Sequence, residues 1–535
     1  MKKDSLLKSS LWISVSGIFS RILAVIYIIP WNIWIGPIAL GAANALYGKV
    51  YNIYNLFLII ATAGIPSAIS KEVAAHNALG RYDQSEKLLK KYTLYMTLVG
   101  IVLAGFMFFG AKYVAIIFAA GDMRVITPIK YLSVAILIIP ALGIMRGYIQ
   151  GYAFISFSAF SQVIEQIARV AYMLYATYTI MILQNGNYMA AVNQSTFASF
   201  IGATLAYIFL IWMRRRVRKS IPAEDIKTAA EVPDSELTKV NFGSMLKSAI
   251  PFLLVDTIMT VLQLFDQTSF VWIYQNVIHA SQRTVDNLYA MFGFQANKLI
   301  MVLVSLAISV SATIIPALSA LISRKAKKTD IQKLLRNIVQ FTVFIILPAA
   351  FGMIGIGSQL WTVFYGTSKL GTQILIVSCA EAFFYCVFMI LENVLQVDGR
   401  TKTSMIYLAL AYLIKVVLQY PLTIYMGAFG PVVATTVAFM IMGHFAFRII
   451  NKQYNIVDKV LGIKLLKIVF DSIVMLIVVY GADFLLVKVI NSDTKVGATI
   501  ILSICAVIGI IVYGFLAYKD GSMKVLKDIR GTDIY

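Results

Sequence analysis

Apolar stretches of about 20 residues or more recur from one end of the chain to the other, separated by short polar segments. A helix needs about that length to cross the hydrocarbon of a bilayer, because each residue adds only ~1.5 Å of rise. The pattern predicts an all-α polytopic membrane protein with about fourteen spans. They fall at 9–30, 45–70, 92–113, 125–150, 155–183, 189–213, 244–272, 287–322, 337–359, 371–396, 404–426, 428–449, 466–487 and 497–518. The eighth stretch is long enough to tilt or to project from the membrane. The first, which carries Arg21 and has no small-residue cleavage site behind it, reads as a retained span.

The pattern also repeats. Lys87 in KLLKKY answers Lys333 in KLLRNI, Gln150 answers Gln396, and Arg169 answers Lys415, each pair 246 positions apart. Ile65-Pro66 resembles Ile315-Pro316 with a slip of a few residues. One six-span bundle is expected to have been built twice, in the same orientation, a common architecture for moving a solute across a bilayer. The expected organisation is an N-lobe at 1–213, a polar linker at 214–243, a C-lobe at 244–449, and a C-terminal segment at 450–535 with two spans and a tail.

Composition agrees: 60% of the 535 residues are hydrophobic and 13% charged, with 12 prolines. The net charge of +21 would suit nucleic acid, but its distribution argues against that. Basic residues gather in alternate loops, such as Arg214, Arg215, Arg216, Arg218 and Lys219, whereas 31–44 and 184–188 carry no charge. Basic loops stay in the cytoplasm, so both termini are expected there. Cys379, Cys386 and Cys505 lie in apolar segments and read as buried small hydrophobes.

Ionisable groups within spans are costly against lipid and usually face a cavity or a partner. Glu165 and Arg169 are four apart and can pair on one helix face, which favours a structural ion pair over a substrate role. Arg146 and Glu392 lie near span ends and are expected to snorkel. Arg21, Lys49 and Lys298 have no acid close in sequence and belong to the first, second and eighth spans. Cations facing a cavity would attract phosphate or pyrophosphate by charge and hydrogen bonding. The alternative is that each bonds helix carbonyls or an acid such as Asp256 or Asp266, which are also candidate cavity or coupling acids. No nucleotide-binding loop, zinc-ligand helix or nucleophile elbow is present, and His76, His279 and His444 are scattered. The chain is therefore expected to be neither an enzyme nor a metal protein.

SGIFSRILAVIYIIP at 16–30, TAGIPSAISKEVAAHNALGR at 62–81 and RGYIQGYAFISFSAFSQVIEQIARV at 146–170 resemble the polysaccharide-export family of flippases. The likeness is to the branch of stage V sporulation protein B and the MurJ-type lipid II flippases, within the multidrug/oligosaccharidyl-lipid/polysaccharide exporter superfamily. NVLQVDGRTKTS at 393–404 resembles a short turn of the second lobe there. The resemblance implies two lobes plus two helices, and export of an undecaprenyl-pyrophosphate-linked sugar, above all lipid II for peptidoglycan synthesis. It implies a cavity lined by spans 1, 2, 7 and 8, where arginines meet the pyrophosphate. Arg21 falls on one such arginine, and Lys298 about where another lies. Tyr27, Leu58 and Met301 depart from the branch, replacing two arginines and an acid.

The expected mechanism is alternating access without a bound cofactor, coupled to the membrane potential or to Na+ or H+. The expected partners are the lipid-linked sugar, membrane lipid and cell-wall synthases. The rival readings are an exporter of another lipid-linked polysaccharide unit, a cation-coupled drug exporter, and a membrane scaffold for those synthases.

Overall fold

Wherever the chain is described, helix follows helix with only short breaks. A computed structural model describes residues 25–62, 65–219 and 242–525, with scattered positions between 12 and 23. Among the described residues there is no strand. Among the described residues, eight helical runs are long and apolar enough to cross a membrane, one of them extending over residues 401–454. The protein is an all-α polytopic membrane protein.

Two compact units divide the chain at Trp272 and Ile273. In the first unit the helices are α1 (Ile28–Ile35), α2 (Leu40–Thr62), α3 (Ile65–Ala78), α4 (Tyr82–Phe109), α5 (Ala111–Phe118), α6 (Ile126–Gly151), α7 (Ile155–Tyr178) and α8 (Tyr188–Lys219). They are followed by α9 (Phe242–Asn276), which belongs to this unit as far as Trp272. The expected span at 45–70 falls on α2 and α3, which flank residues 63–64, outside the described residues. The polar segment after it, read as a loop, holds most of α3 and the first turns of α4.

Close approach fixes α3 against α6. Gly143, Gly147 and Gly151 recur every four residues along α6, which puts them on one face. A Cβ on Gly147 would lie 2.4 Å from the Pro66 carbonyl oxygen, and one on Gly151 would lie 2.6 Å from Val73. Small residues at such spacing let membrane helices approach backbone to backbone. Gly147→Val is expected to force α3 off α6, at about 1–3 kcal/mol for overpacking a tight contact. A wild-type melting temperature for this variant in detergent would refute the assignment.

In the second unit come α10 (Gln282–Tyr289) and α11 (Asn297–Ser323), joined by a wide helical turn over Ala290–Ala296. They are one helical run, as the long eighth stretch predicts. Then follow α12 (Lys328–Gly355), α13 (Gly357–Tyr365), α14 (Lys369–Val397), α15 (Thr401–Met426), α16 (Gly430–Tyr454), α17 (Lys459–Val487) and α18 (Lys495–Lys519). Side-chain caps set several starts: Ser368 accepts from the Gly371 amide at 3.1 Å, and Asp458 from the Leu461 amide at 2.7 Å. The last two helices pack on this unit through Phe344, Leu347, Ile468 and Ala517, and the Tyr513 hydroxyl donates to the Phe344 carbonyl at 2.8 Å.

The internal repeat is visible in both packing and hydrogen bonding. In the first unit α4 packs on α6, α6 on α8, and α7 on α8. In the second, α12 packs on α14, α14 on α16, and α15 on α16, the same scheme. The Gln150 amide donates to Ser158 Oγ at 2.8 Å, and the Gln396 amide to Ser404 Oγ at 3.2 Å. Both partners in the second bond stand 246 positions after those in the first.

Candidate functional site

Helix α2 presents two polar side chains one turn apart, and both are engaged within the first unit. Lys49 is fully buried, and its Nζ lies 2.8 Å from Asp122 Oδ2. Asp122 sits between α5 and α6, where it also receives Arg124 Nη2 at 2.7 Å and Nε at 2.8 Å. Burial opposes ionisation of Asp122, but Arg124 and Lys49 overcome it and hold the carboxyl well below the usual range. Three residues beyond Lys49, the Asn52 amide donates to Gln267 Oε1 of α9 at 3.2 Å. The Gln267 amide in turn donates to the Phe118 carbonyl at 2.6 Å. These bonds tie α9 to α2 and to the end of α5. Lys49 thus has no acid nearby in sequence, yet the fold supplies one, and its ammonium is matched inside the first unit.

A second charged group lies between α6 and α7. Glu165 Oε1 accepts from Arg169 Nη2 at 2.6 Å and Glu165 Oε2 from Arg146 Nη2 at 2.8 Å. Arg146 Nε also donates to Ser161 Oγ at 3.0 Å. Glu165 and Arg169 therefore meet as their spacing predicts. Arg146, expected to snorkel, is instead the third member, because α6 lays its last turns against α7. Gly202 of α8 makes room here: a Cβ on it would lie 2.5 Å from the Glu165 carbonyl oxygen.

Tyr27, at a place where the resembling branch has arginine, is buried and hydrogen-bonded with Tyr47. The Tyr47 and Tyr51 rings lie tilted against each other with centroids 4.4 Å apart, and Tyr51 Oη lies 2.7 Å from Ser199 Oγ. A phenol in this tyrosine cluster offers hydrogen bonds but no positive charge.

In the second unit, Lys298 stands half-buried just beyond the wide turn, its Nζ 5.5 Å from the Phe294 ring centroid. Such turns insert an extra residue and leave backbone carbonyls to be satisfied from outside the helix. The Tyr365 hydroxyl does this for Gln295, at 3.1 Å. Leu58 is half-buried on α2, and Met301, one turn after Lys298, is exposed. Lys415 is fully buried and donates to Thr435 Oγ1. Glu392, expected to snorkel, is fully buried as well. It lies within the packed face of α14, where a five-atom side chain has no route to the surface.

Arg21 lies outside the described residues, as does the side chain of Asp256. Asp266 is half-buried on α9 beside Gln267. Asp122 and Arg124 escape a reading that looks for charges only inside spans; the acid–base pair two apart in GDMRV is the signal that marks them. The three cysteines are buried and unbonded to one another. Among the described residues no group of three or more His, Cys, Asp and Glu side chains could hold a metal ion.

Comparison with known proteins follows the same lines. The model of the family described as polysaccharide biosynthesis protein matches residues 6–322, more than half of the chain. Lipid II flippase MurJ of Bacillus subtilis (strain 168) is 29% identical over 537 residues, covering 97% of this chain and 96% of that one. Stage V sporulation protein B of the same organism is 27% identical over 221 residues, 41% of each chain. The fold is similar to that of a lipid II flippase MurJ in an inward closed conformation, with a TM-score of 0.65 at 18% identity, covering 95% of this chain and 99% of that one. It is also similar to an inward-facing multidrug resistance MATE transporter of the MOP superfamily, with a TM-score of 0.59 at 12% identity, covering 83% and 98%. With its repeated bundles and these matches, the chain belongs to the polysaccharide biosynthesis protein family.

Proposed function

We propose that this protein is a flippase that carries an undecaprenyl-pyrophosphate-linked sugar, lipid II, across the bacterial plasma membrane by alternating access. The observation that carries the reading is the 29% identity to a lipid II flippase along 97% of the chain. A family match over 6–322 and the sequence repeat at an offset of 246 support it. Both termini face the cytoplasm, as the basic loops require. The headgroup crosses in a polar environment while the isoprenoid tail remains in lipid. Outward movement of each negative charge is favoured by about 2.3 kcal/mol per 100 mV of inside-negative potential.

In this reading Arg21 and Lys298 meet the pyrophosphate, while Lys49, already matched by Asp122, holds the first bundle together. Lys298→Ala is expected to slow translocation about tenfold or more, the loss of one charge-assisted contact to phosphate at 1.5–3 kcal/mol. The assay is protection of labelled lipid II in vesicles, with melting temperature as the control for folding. An undiminished rate would remove Lys298 from the substrate path. The function as a whole is tested by depleting the protein in its native cell: lipid II should accumulate on the inner leaflet. Accumulation of a different lipid-linked glycan would replace the substrate. The uncharged Tyr27, Leu58 and Met301 are the residues that favour such a second cargo, since they would leave fewer contacts for a pyrophosphate.

A further inference from the structure

The two bundles share their hydrogen-bonding scheme but differ at one charged place. Arg146 of the first bundle corresponds to Glu392 of the second, and Glu165 to Ala411, at the repeat offset of 246. In the first bundle Glu165 bridges Arg146 and Arg169. In the second the bridging carboxylate is absent, Lys415 donates to Thr435, and Glu392 forms no ion pair. Glu392 has zero exposure, and neither carboxylate oxygen has a hydrogen-bond partner. One turn on, Gln396 lies on the same face of α14, and its Oε1 is also buried without a partner. Ser404 on α15 accepts from the Gln396 amide at 3.2 Å, which brings a hydroxyl to this face of α14.

Three buried acceptor oxygens, two on Glu392 and one on Gln396, therefore lie one turn apart on α14 beside the Ser404 hydroxyl. An ionised carboxylate in such a place costs many kcal/mol, and a neutral acid removes most of that cost while adding a donor. We propose that Glu392, with Gln396 and Ser404, is a proton-binding site of the second bundle. Gln396 Oε1 and Ser404 Oγ can accept the acid proton; on deprotonation it leaves to water and the carboxylate must find a donor or move toward solvent. If the flippase reading holds, this proton is the coupling ion.

The other charged and titratable groups on the surrounding elements do not substitute for it. On α14, Lys369 is exposed at the far end, and Glu381 lies three turns earlier. Lys298 on α11 and Lys415 on α15 have the partners described, and Lys402 on α15 is exposed. On α12, Lys333 is exposed and Arg336 pairs with Asp458 at 2.8 Å. His444 and Arg448 on α16 are exposed, and α13 carries no charge.

The test is infrared difference spectroscopy of the full-length protein reconstituted in vesicles. Wild type should show a protonated carboxylic-acid carbonyl band at neutral pH that disappears on alkalinisation. Glu392→Gln, which mimics the neutral acid in shape and needs no proton, should lose it. Ser404→Ala should keep the band at a shifted frequency. A band unchanged by Glu392→Gln would overturn the proposal, and so would loss of the wild-type band on adding Na+ at constant pH, which would make the site one for sodium. In parallel, the dependence of lipid II translocation on an imposed pH gradient should vanish in Glu392→Gln. A retained dependence would overturn the coupling role. Absence of lipid II movement in wild type would count against the flippase reading alone, since the infrared band is read without substrate.

Discussion

Glu165→Ala should be the most damaging single substitution in the first bundle. It leaves Arg146 and Arg169, both mostly buried, facing each other with no carboxylate between them. Breaking a buried ion pair by removing one partner costs about 3–5 kcal/mol, because a charge remains without compensation. Here two are left, and their mutual repulsion adds to the loss. The variant is expected to give little monodisperse protein and a melting temperature well below wild type. Glu165→Asp, with a shorter reach, should fall between the two. A second change separates charge from packing: Arg169→Met on top of Glu165→Ala removes one orphaned cation and should recover part of the loss. If Glu165→Ala melts with wild type, the three-membered network does not hold α6 to α7, and the Gln150–Ser158 and Arg146–Ser161 bonds must carry that interface.

This network shows how far the sequence reaches. Glu165 and Arg169 lie on one helix, so their four-residue spacing alone brings them together. The Gln150–Ser158 bond spans a short turn, and its copy at Gln396–Ser404 follows once the repeat register is known. Helices, apolar spans and the doubled bundle were legible for the same reason: each depends on local periodicity or on one constant offset. Arg146 was misjudged because its partner lies on the next helix, and which turn of α7 faces α6 depends on packing. Glu392 was misjudged because depth within a bundle is a property of neighbouring helices, not of distance from the end of a span. Lys49 shows the larger gap, since its acid stands 73 residues away in a loop outside any span. The two halves of α3 and α4 read as a polar loop because charge marks the membrane boundary, not the end of a helix.

Asp122→Asn should be nearly as harmful as Glu165→Ala, for a related reason. It takes the carboxylate away from the fully buried Lys49 ammonium, again at about 3–5 kcal/mol. Lys49→Met should cost less, because Asp122 keeps its two side-chain bonds and one backbone bond from the partly exposed Arg124. The double variant Lys49→Met with Asp122→Asn removes both charges and should melt above Asp122→Asn alone. Additive losses in this cycle would show that the two side chains do not stabilise each other. The pH dependence has a definite sign. The folded-state carboxyl of Asp122 is held below its unfolded value of about 3.9, so its contribution is fully present above that pH. It is lost only as the pH falls through the lower, folded value. Between neutral pH and about pH 4 the difference in melting temperature between wild type and Asp122→Asn should therefore stay constant, and it should shrink in stronger acid. A difference that already collapses near neutral pH would mean that Asp122 is not held by these two cations.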